Sequence, residues 1–224
     1  MSFYYSRYHI PRFMPLKWGL RLREATGIPP VYSQQSRDKK LIFIHIPKAA
    51  GSSVGELLLG TDRVGHYPYE IYQKYNPRWF SEFYKISVCR HPFDRFVSAF
   101  DYLVTGGKGR ADATVGAYLS EFEGGVNEFV IAAFDEGFAL RNAHFYPQHN
   151  FVFDKEDKLV VDKLCRLESL DADFKEVSIR FAAGRNLEYV NRGKRGSSSR
   201  LNRVAMDKLY RIYRKDFELL GYER

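Results

Sequence analysis

The sequence predicts an α/β fold built on a parallel sheet, and three observations carry that reading. Two short apolar runs, Leu41–Ile46 and Lys85–Cys89, have the β-branched and aromatic content of strands buried on both faces. Each is closed by a proline-containing turn with a basic residue, Pro47-Lys48 after the first and Arg90-His91-Pro92 after the second. Each turn is followed by apolar residues at helical spacing, as in Phe93, Phe96, Val97 and Phe100. Two strand-turn-helix units in succession call for a central parallel sheet flanked by helices, with sites at the carboxyl edge of its strands.

The 224 residues suit one domain with a sizeable core. Hydrophobic residues make up 45% of the chain, which excludes global disorder. A formal net charge of +8 favours an anionic partner: nucleotide, acidic glycan, nucleic acid or acidic membrane surface. Cys89 and Cys165 both lie in apolar, strand-like runs and read as buried free thiols of a reducing compartment.

Residues 1–39 form an aromatic, basic N-terminal arm broken by Pro11, Pro15, Pro29 and Pro30, with one short helix expected over Leu16–Ala25. Its plain reading is an arm packed on the domain; its sharper one is a segment that touches a partner or a membrane. The arm has no apolar stretch long enough for a signal peptide or a membrane span. The α/β domain then occupies residues 40–224. Ser53 with Glu56 three residues on forms a capping-box pattern, so the first helix of the domain is expected to start near Val54 and to end at Gly60. A helix over Tyr69–Lys74 precedes the second strand. Helices are expected between Ala113 and Phe138, after a flexible approach through Gly106, Gly107 and Gly109. Phe151–Phe153 and Leu159–Val161 read as short strands around a turn, Lys163–Leu167 as a further run, and Asp171–Phe181 as an amphipathic helix. The last helix is expected over Asn202–Leu219, with Val204, Leu209, Ile212, Tyr213, Phe217 and Leu220 facing inward.

The turn after the first strand sets Lys48 and the backbone N–H groups of Ala50 to Ser53 at a positive helix N-terminus, among side chains small enough for an anion to come close. This is a phosphate-binding strand-loop-helix. It is not a Walker A loop, because the lysine precedes the glycine, and no acidic strand end stands ready for magnesium. Pro47-Lys48-Ala49-Ala50-Gly51-Ser52-Ser53 instead resembles the 5′-phosphosulfate-binding loop of the PAPS-dependent sulfotransferases, in the form found among many carbohydrate sulfotransferases, with Ala49 where threonine is more usual.

A guanidinium leaving the second strand can grip a phosphate bidentately, and a hydroxyl two turns along the next helix adds a neutral donor. Arg90 and Ser98 resemble that family's 3′-phosphate motif, in which a serine follows the arginine by eight residues; His91 departs from its usual Asp or Asn. Val161-Asp162, Arg166-Leu167-Glu168-Ser169-Leu170 and Asp173-Phe174 resemble a further family segment, with Arg166 and Glu168 read as structural partners. Asn191, the basic loop Lys194–Arg200, and Asp216-Phe217 with Gly221-Tyr222 also fit, and His144-Phe145-Tyr146-Pro147-Gln148 resembles a family segment that ends in Pro-Gln near the acceptor side.

The resemblance spans about residues 40–223. It implies a P-loop NTPase-like sulfotransferase fold and in-line transfer of a sulfuryl group from PAPS, leaving PAP, to a hydroxyl of a carbohydrate or glycolipid, with no metal and in a cytoplasmic setting. Lys48, Ala49, Ala50, Gly51, Ser52, Ser53, Arg90 and Ser98 would bind the donor, and Lys48 would meet the charge on the leaving oxygen. Six histidines compete for the role of base; His66, in Gly65-His66-Tyr67-Pro68, holds the position similar enzymes give to an acceptor-cleft histidine. His45 reads as core, His9, His144 and His149 as weaker contenders, and Glu70 as a carboxylate alternative. Two other classes stand beside this reading: a nucleotide or small-molecule kinase on a related scaffold, and a non-catalytic binder of acidic glycan or nucleic acid. No recognisable nucleic-acid motif accompanies the charge.

Overall fold

The structure is a computed structural model and describes residues 14–182 and 197–224. The described chain opens with α1 (Leu16–Ala25), α2 (Gln34–Lys39), β1 (Leu41–Ile44), α3 (Gly51–Leu59), α4 (Tyr69–Tyr75), α5 (Pro77–Glu82), β2 (Tyr84–Cys89) and α6 (Pro92–Val104). It continues through α7 (Arg110–Leu119), α8 (Gly125–Ala132), α9 (Glu136–Arg141), α10 (His149–Val152), β3 (Lys163–Arg166), α11 (Leu170–Asp173), α12 (Lys175–Phe181), α13 (Arg203–Ile212) and α14 (Arg214–Leu220).

The three strands form one parallel sheet in the order β1-β2-β3, with Leu41 opposite Tyr84 and Cys89 opposite Arg166. All four residues of β1 are buried, as a strand covered on both faces requires. Ser87, the one hydroxyl on the inner stretch of β2, is tolerated because its Oγ donates to the Ile44 carbonyl at 2.7 Å. Parallel neighbours need crossovers, and helices supply them. The expected α/β class, a parallel sheet with flanking helices, is therefore what the chain adopts.

Two compact units divide the described residues: 14–46, 50–89 and 150–182 in the first, and 47–49, 90–149 and 197–224 in the second. The first holds the sheet. Within it Lys39 Nζ donates to the Leu58 carbonyl at 2.7 Å and the Phe181 carbonyl at 2.9 Å, placing a cation on the carboxyl ends of α3 and α12, where the helix dipole favours one. Tyr72 Oη donates to the Phe43 carbonyl at 3.2 Å and ties α4 to β1. Leu20, Val31 and Tyr32 are buried, so this stretch of the arm is packed, as its plain reading expected. Cys89 and Cys165 are buried free thiols, and burial pushes the Cys165 thiol up to about 12.

The second unit is helical and packed around aromatic rings: Phe93, Phe96 and Phe100 of α6 meet Phe129, Phe134, Phe145, Tyr213 and Phe217. Arg95, fully buried, donates to the His144 and Tyr146 carbonyls at 2.9 and 3.0 Å, so its charge organises backbone.

Four expectations are corrected. The helix after β1 starts at Gly51, not near Val54: Ala50 takes the left-handed conformation and is the cap, so Ser53 lies inside the first turn. Phe151–Val161 is not a pair of strands, because α10 takes up Phe151 and Val152 and only one antiparallel bridge, Phe153 to Leu159, survives. The terminal helix is two helices interrupted at Tyr213, whose backbone leaves the helical region while its hydroxyl donates to the Phe145 carbonyl at 2.6 Å. Val204 faces solvent, because capping by Asn202 sets the phase of α13 so that Ala205 and Leu209 point inward.

Candidate active site

β1 and β2 lie side by side and run the same way, so the turns after them leave the same edge of the sheet. The first turn is backbone under strain. Lys48 and Ala50 have φ of 68° and 59°, left-handed values that a side chain makes costly by about 1–2 kcal/mol each. The first intrahelical bond of α3 runs from the Val54 N–H to the Ala50 carbonyl at 3.2 Å. The Gly51, Ser52 and Ser53 amides precede that bond, at the positive end of a nine-residue helix. The earlier start of α3 thus brings all three into its first turn.

Gly51 has a steric reason. A Cβ there would overlap the imidazole of His45, which lies against it. The His45 Nδ1 stands 3.1 Å from the Val64 carbonyl; since a carbonyl only accepts, Nδ1 carries the proton and Nε2 faces Gly51. The ring of His66 packs on that of His45 with centroids 4.2 Å apart. His45 is buried, as expected, yet it is no ordinary core residue: it joins His66 to the start of α3.

Lys48 and Arg90 come together in the second unit. Arg90 is only 5% exposed, and its Nη1 lies 3.4 Å from the Lys48 carbonyl, a long hydrogen bond. Lys48 Nζ sits 4.0 Å from the centroid of the Tyr102 ring. Burial, and then the Arg90 charge, bring the Lys48 ammonium down to about 8; Asp112 and Asp101 act in the opposite sense. Tyr102 Oη donates to Asp112 Oδ2 at 3.0 Å, the Lys108 amide reaches the same oxygen at 3.2 Å, and His144 Nε2 lies 3.2 Å from Oδ1. The hydrogen bond from His144 holds Asp112 at about 2. Gly107, at φ 59°, closes this turn, and a Cβ on it would run into Asp112. Within the glycine stretch, Gly107 and the Lys108 amide thus lie against Asp112.

The Arg90 backbone is clamped as well. Gln148, fully buried, accepts from the Arg90 N–H at 3.0 Å and donates to the Arg90 carbonyl at 2.8 Å. The carboxylate of Asp216, also fully buried, accepts from the Gln148 and His149 amides at 2.9 and 2.8 Å, and its Oδ1 lies 2.7 Å from His149 Nδ1. His91 faces the Glu223 carbonyl at 3.1 Å and packs against Phe217 and Tyr222, so the residue that departs from the expected pattern secures the turn to the end of the chain.

Ser98 is half-buried on α6, between Asp94 and Asp101. Asp94 accepts from the Ser198 amide at 2.7 Å, and Asp101 takes both contacts of Arg200 at 2.7 and 2.8 Å. Ser198 and Arg200 end the basic loop; its earlier residues, with Asn191 and His9, lie outside the described residues. Glu70 pairs with Lys74 at 2.8 Å, and the Arg166 amide is held by Asp173 at 2.8 Å. Sequence reasoning passed over Tyr102 and Asp112; it picked out Gln148 and Asp216 as family-like positions but did not foresee their roles as the clamp on Arg90 and its anchor. Those roles depend on partners far away in sequence, which a local motif does not reveal.

The fold is an α/β one in which a parallel sheet leads, after β1, into a strained loop that opens a helix, and Lys48 and Arg90 lie in the turns that follow β1 and β2. The model of the sulfotransferase family matches residues 34–223, and the chain belongs to that family, a group of transferases that move sulfuryl groups. No curated protein and no solved structure matched.

Proposed function

We propose that the chain transfers a sulfuryl group from PAPS to a hydroxyl of a carbohydrate or glycolipid acceptor, on a P-loop-like sulfotransferase fold. One observation carries the reading: Lys48 and Arg90 stand together, half-buried and buried, and the Arg90 charge disfavours the charged form of Lys48. Like charges concentrated where solvent screens them poorly are stabilised by a bridging anion. The residues fit such a ligand, since a helix N-terminus, a lysine and an arginine are the donor types that phosphate and sulfate groups take.

Lys48, Ala49, Ala50, Gly51, Ser52 and Ser53 would hold the 5′-phosphosulfate, and Arg90 with Ser98 the 3′-phosphate. When bound, PAPS supplies the sulfuryl group. Lys48 keeps its proton below about pH 8 and so offers a cation to the leaving phosphate oxygen. His66 takes the proton of the acceptor hydroxyl, and His45, fixed by Val64, orients the His66 ring. The glycine-before-lysine order that an ATP-dependent kinase would need is missing from the loop.

The test is thermal stabilisation by PAP against ATP with magnesium, followed by labelled-sulfate transfer from PAPS with Lys48→Ala. PAP alone is expected to raise the melting temperature, and the variant to lose about a hundredfold or more in rate. Unchanged transfer by the variant would sink the assignment.

A further inference from the structure

The helix α1 carries apolar side chains on two opposite sides. Leu20 turns inward and is buried. Trp18 and Leu22, one turn apart, face the other way at 61% and 57% exposed. Lys17 and Arg21 are exposed beside them, and the Arg21 guanidinium lies 5.9 Å from the centroid of the Trp18 ring. The only acid of the helix, Glu24, is engaged elsewhere: Oε1 accepts from the Val31 amide at 3.0 Å and Oε2 from the Tyr75 hydroxyl at 3.4 Å. The outward face thus offers an indole, a leucine and two cations, and no anion. In sequence, the fifteen residues before α1 add Arg7 and Arg12 with five aromatic residues and no Asp or Glu.

A partner face acidic throughout would satisfy Lys17 and Arg21 but give Trp18 and Leu22 nothing apolar. An anionic bilayer surface answers both needs at once: headgroups meet the cations, and the acyl boundary takes the indole and the leucine. No helix among the described residues is long and apolar enough to cross a membrane, so this contact lies on the bilayer plane. We propose that α1 is a membrane-surface contact that seats the protein on anionic lipid through Trp18, Leu22, Lys17 and Arg21. The proposal stands independently of the donor and acceptor assigned above.

The experiment is flotation of the full chain with phosphatidylcholine vesicles, with and without phosphatidylserine. Binding is expected only with phosphatidylserine and is expected to weaken with salt. Trp18→Ser with Leu22→Ser should lower binding at least about tenfold, since both side chains lose their apolar burial. Lys17→Glu with Arg21→Glu should lower it about fivefold per charge removed. All four positions are outward, so both double variants should melt by circular dichroism as the parent does. Equal flotation of the Trp18/Leu22 variant would overturn the proposal, as would equal binding to phosphatidylcholine alone. So would a parent that stays off both vesicles yet self-associates by light scattering in a way the Trp18/Leu22 variant abolishes, which would give the face to a second copy of the chain.

Discussion

Lys48 Nζ rests 4.0 Å from the centroid of the Tyr102 ring, and the Tyr102 hydroxyl is in turn anchored on Asp112 at 3.0 Å. The ring face gives the half-buried ammonium an uncharged electrostatic partner, and among the described residues no carboxylate pairs directly with Lys48, although Asp112 and Asp101 act on its charge from further off. Tyr102→Leu is expected to weaken PAP binding about three- to tenfold by calorimetry, while Tyr102→Phe, which keeps the ring, stays within about twofold.

Burial and Arg90 lower the Lys48 ammonium from its ordinary 10.5 to about 8. The sign follows directly: the cation is present below about pH 8 and lost as pH rises through it, so PAP affinity should be flat up to that point and then fall by up to tenfold per pH unit. A bound anion raises the same ammonium, so binding above about pH 8 should take up a proton, visible in calorimetry across buffers of different ionisation enthalpy. Lys48→Arg, which keeps its charge throughout this range, should remove the decline.

Gln148→Met keeps the volume of the clamp but leaves the N–H and C=O of Arg90 without their partner in a buried place. A loss of about 2 kcal/mol in urea unfolding is expected, with about tenfold weaker PAP binding. A variant that unfolds as the parent does would show that the Arg90 turn holds its shape without Gln148.

Gly51→Ala sets a methyl group against the His45 ring. The expected cost is about 1–3 kcal/mol of stability, with PAP binding impaired because the first turn of α3 is displaced. In a His45→Ala background the same change should cost less, giving a coupling of at least about 1 kcal/mol in the double-mutant cycle. Additive effects would mean that His45 does not shape the loop.

His66→Asn is expected to lower kcat about a hundredfold or more while PAP affinity stays within about twofold, since His66 would act on the acceptor proton and not on the donor. Equal losses in kcat and in PAP affinity would assign His66 to donor binding instead.

β1 and β2 were readable from sequence because each is short, largely apolar and closed by a turn with a proline, and Gly60 ends α3 in the left-handed conformation that glycine favours. The start of α3 was not readable, because Ala50, which has no capping side chain, is forced into that same conformation by the loop, overriding the Ser53 pattern. The turn after β1 and Arg90 at the end of β2 could be singled out because their patterns fall within a few residues. Gln148 meets Arg90 across 58 positions and Asp216 meets Gln148 across 68, and separations of that size leave no periodicity to read. Val204 and the break at Tyr213 were misjudged for a related reason: both are set by packing in the second unit and by a cap, and neither is a matter of propensity.

Asp216 has a temporal consequence. The carboxylate that fixes Gln148, and through it the turn of Arg90, belongs to a segment translated long after that turn has left the ribosome. A nascent chain will therefore carry both turns in full while its arginine is still unset, and the turn of Arg90 should take its final shape only once synthesis has passed Asp216.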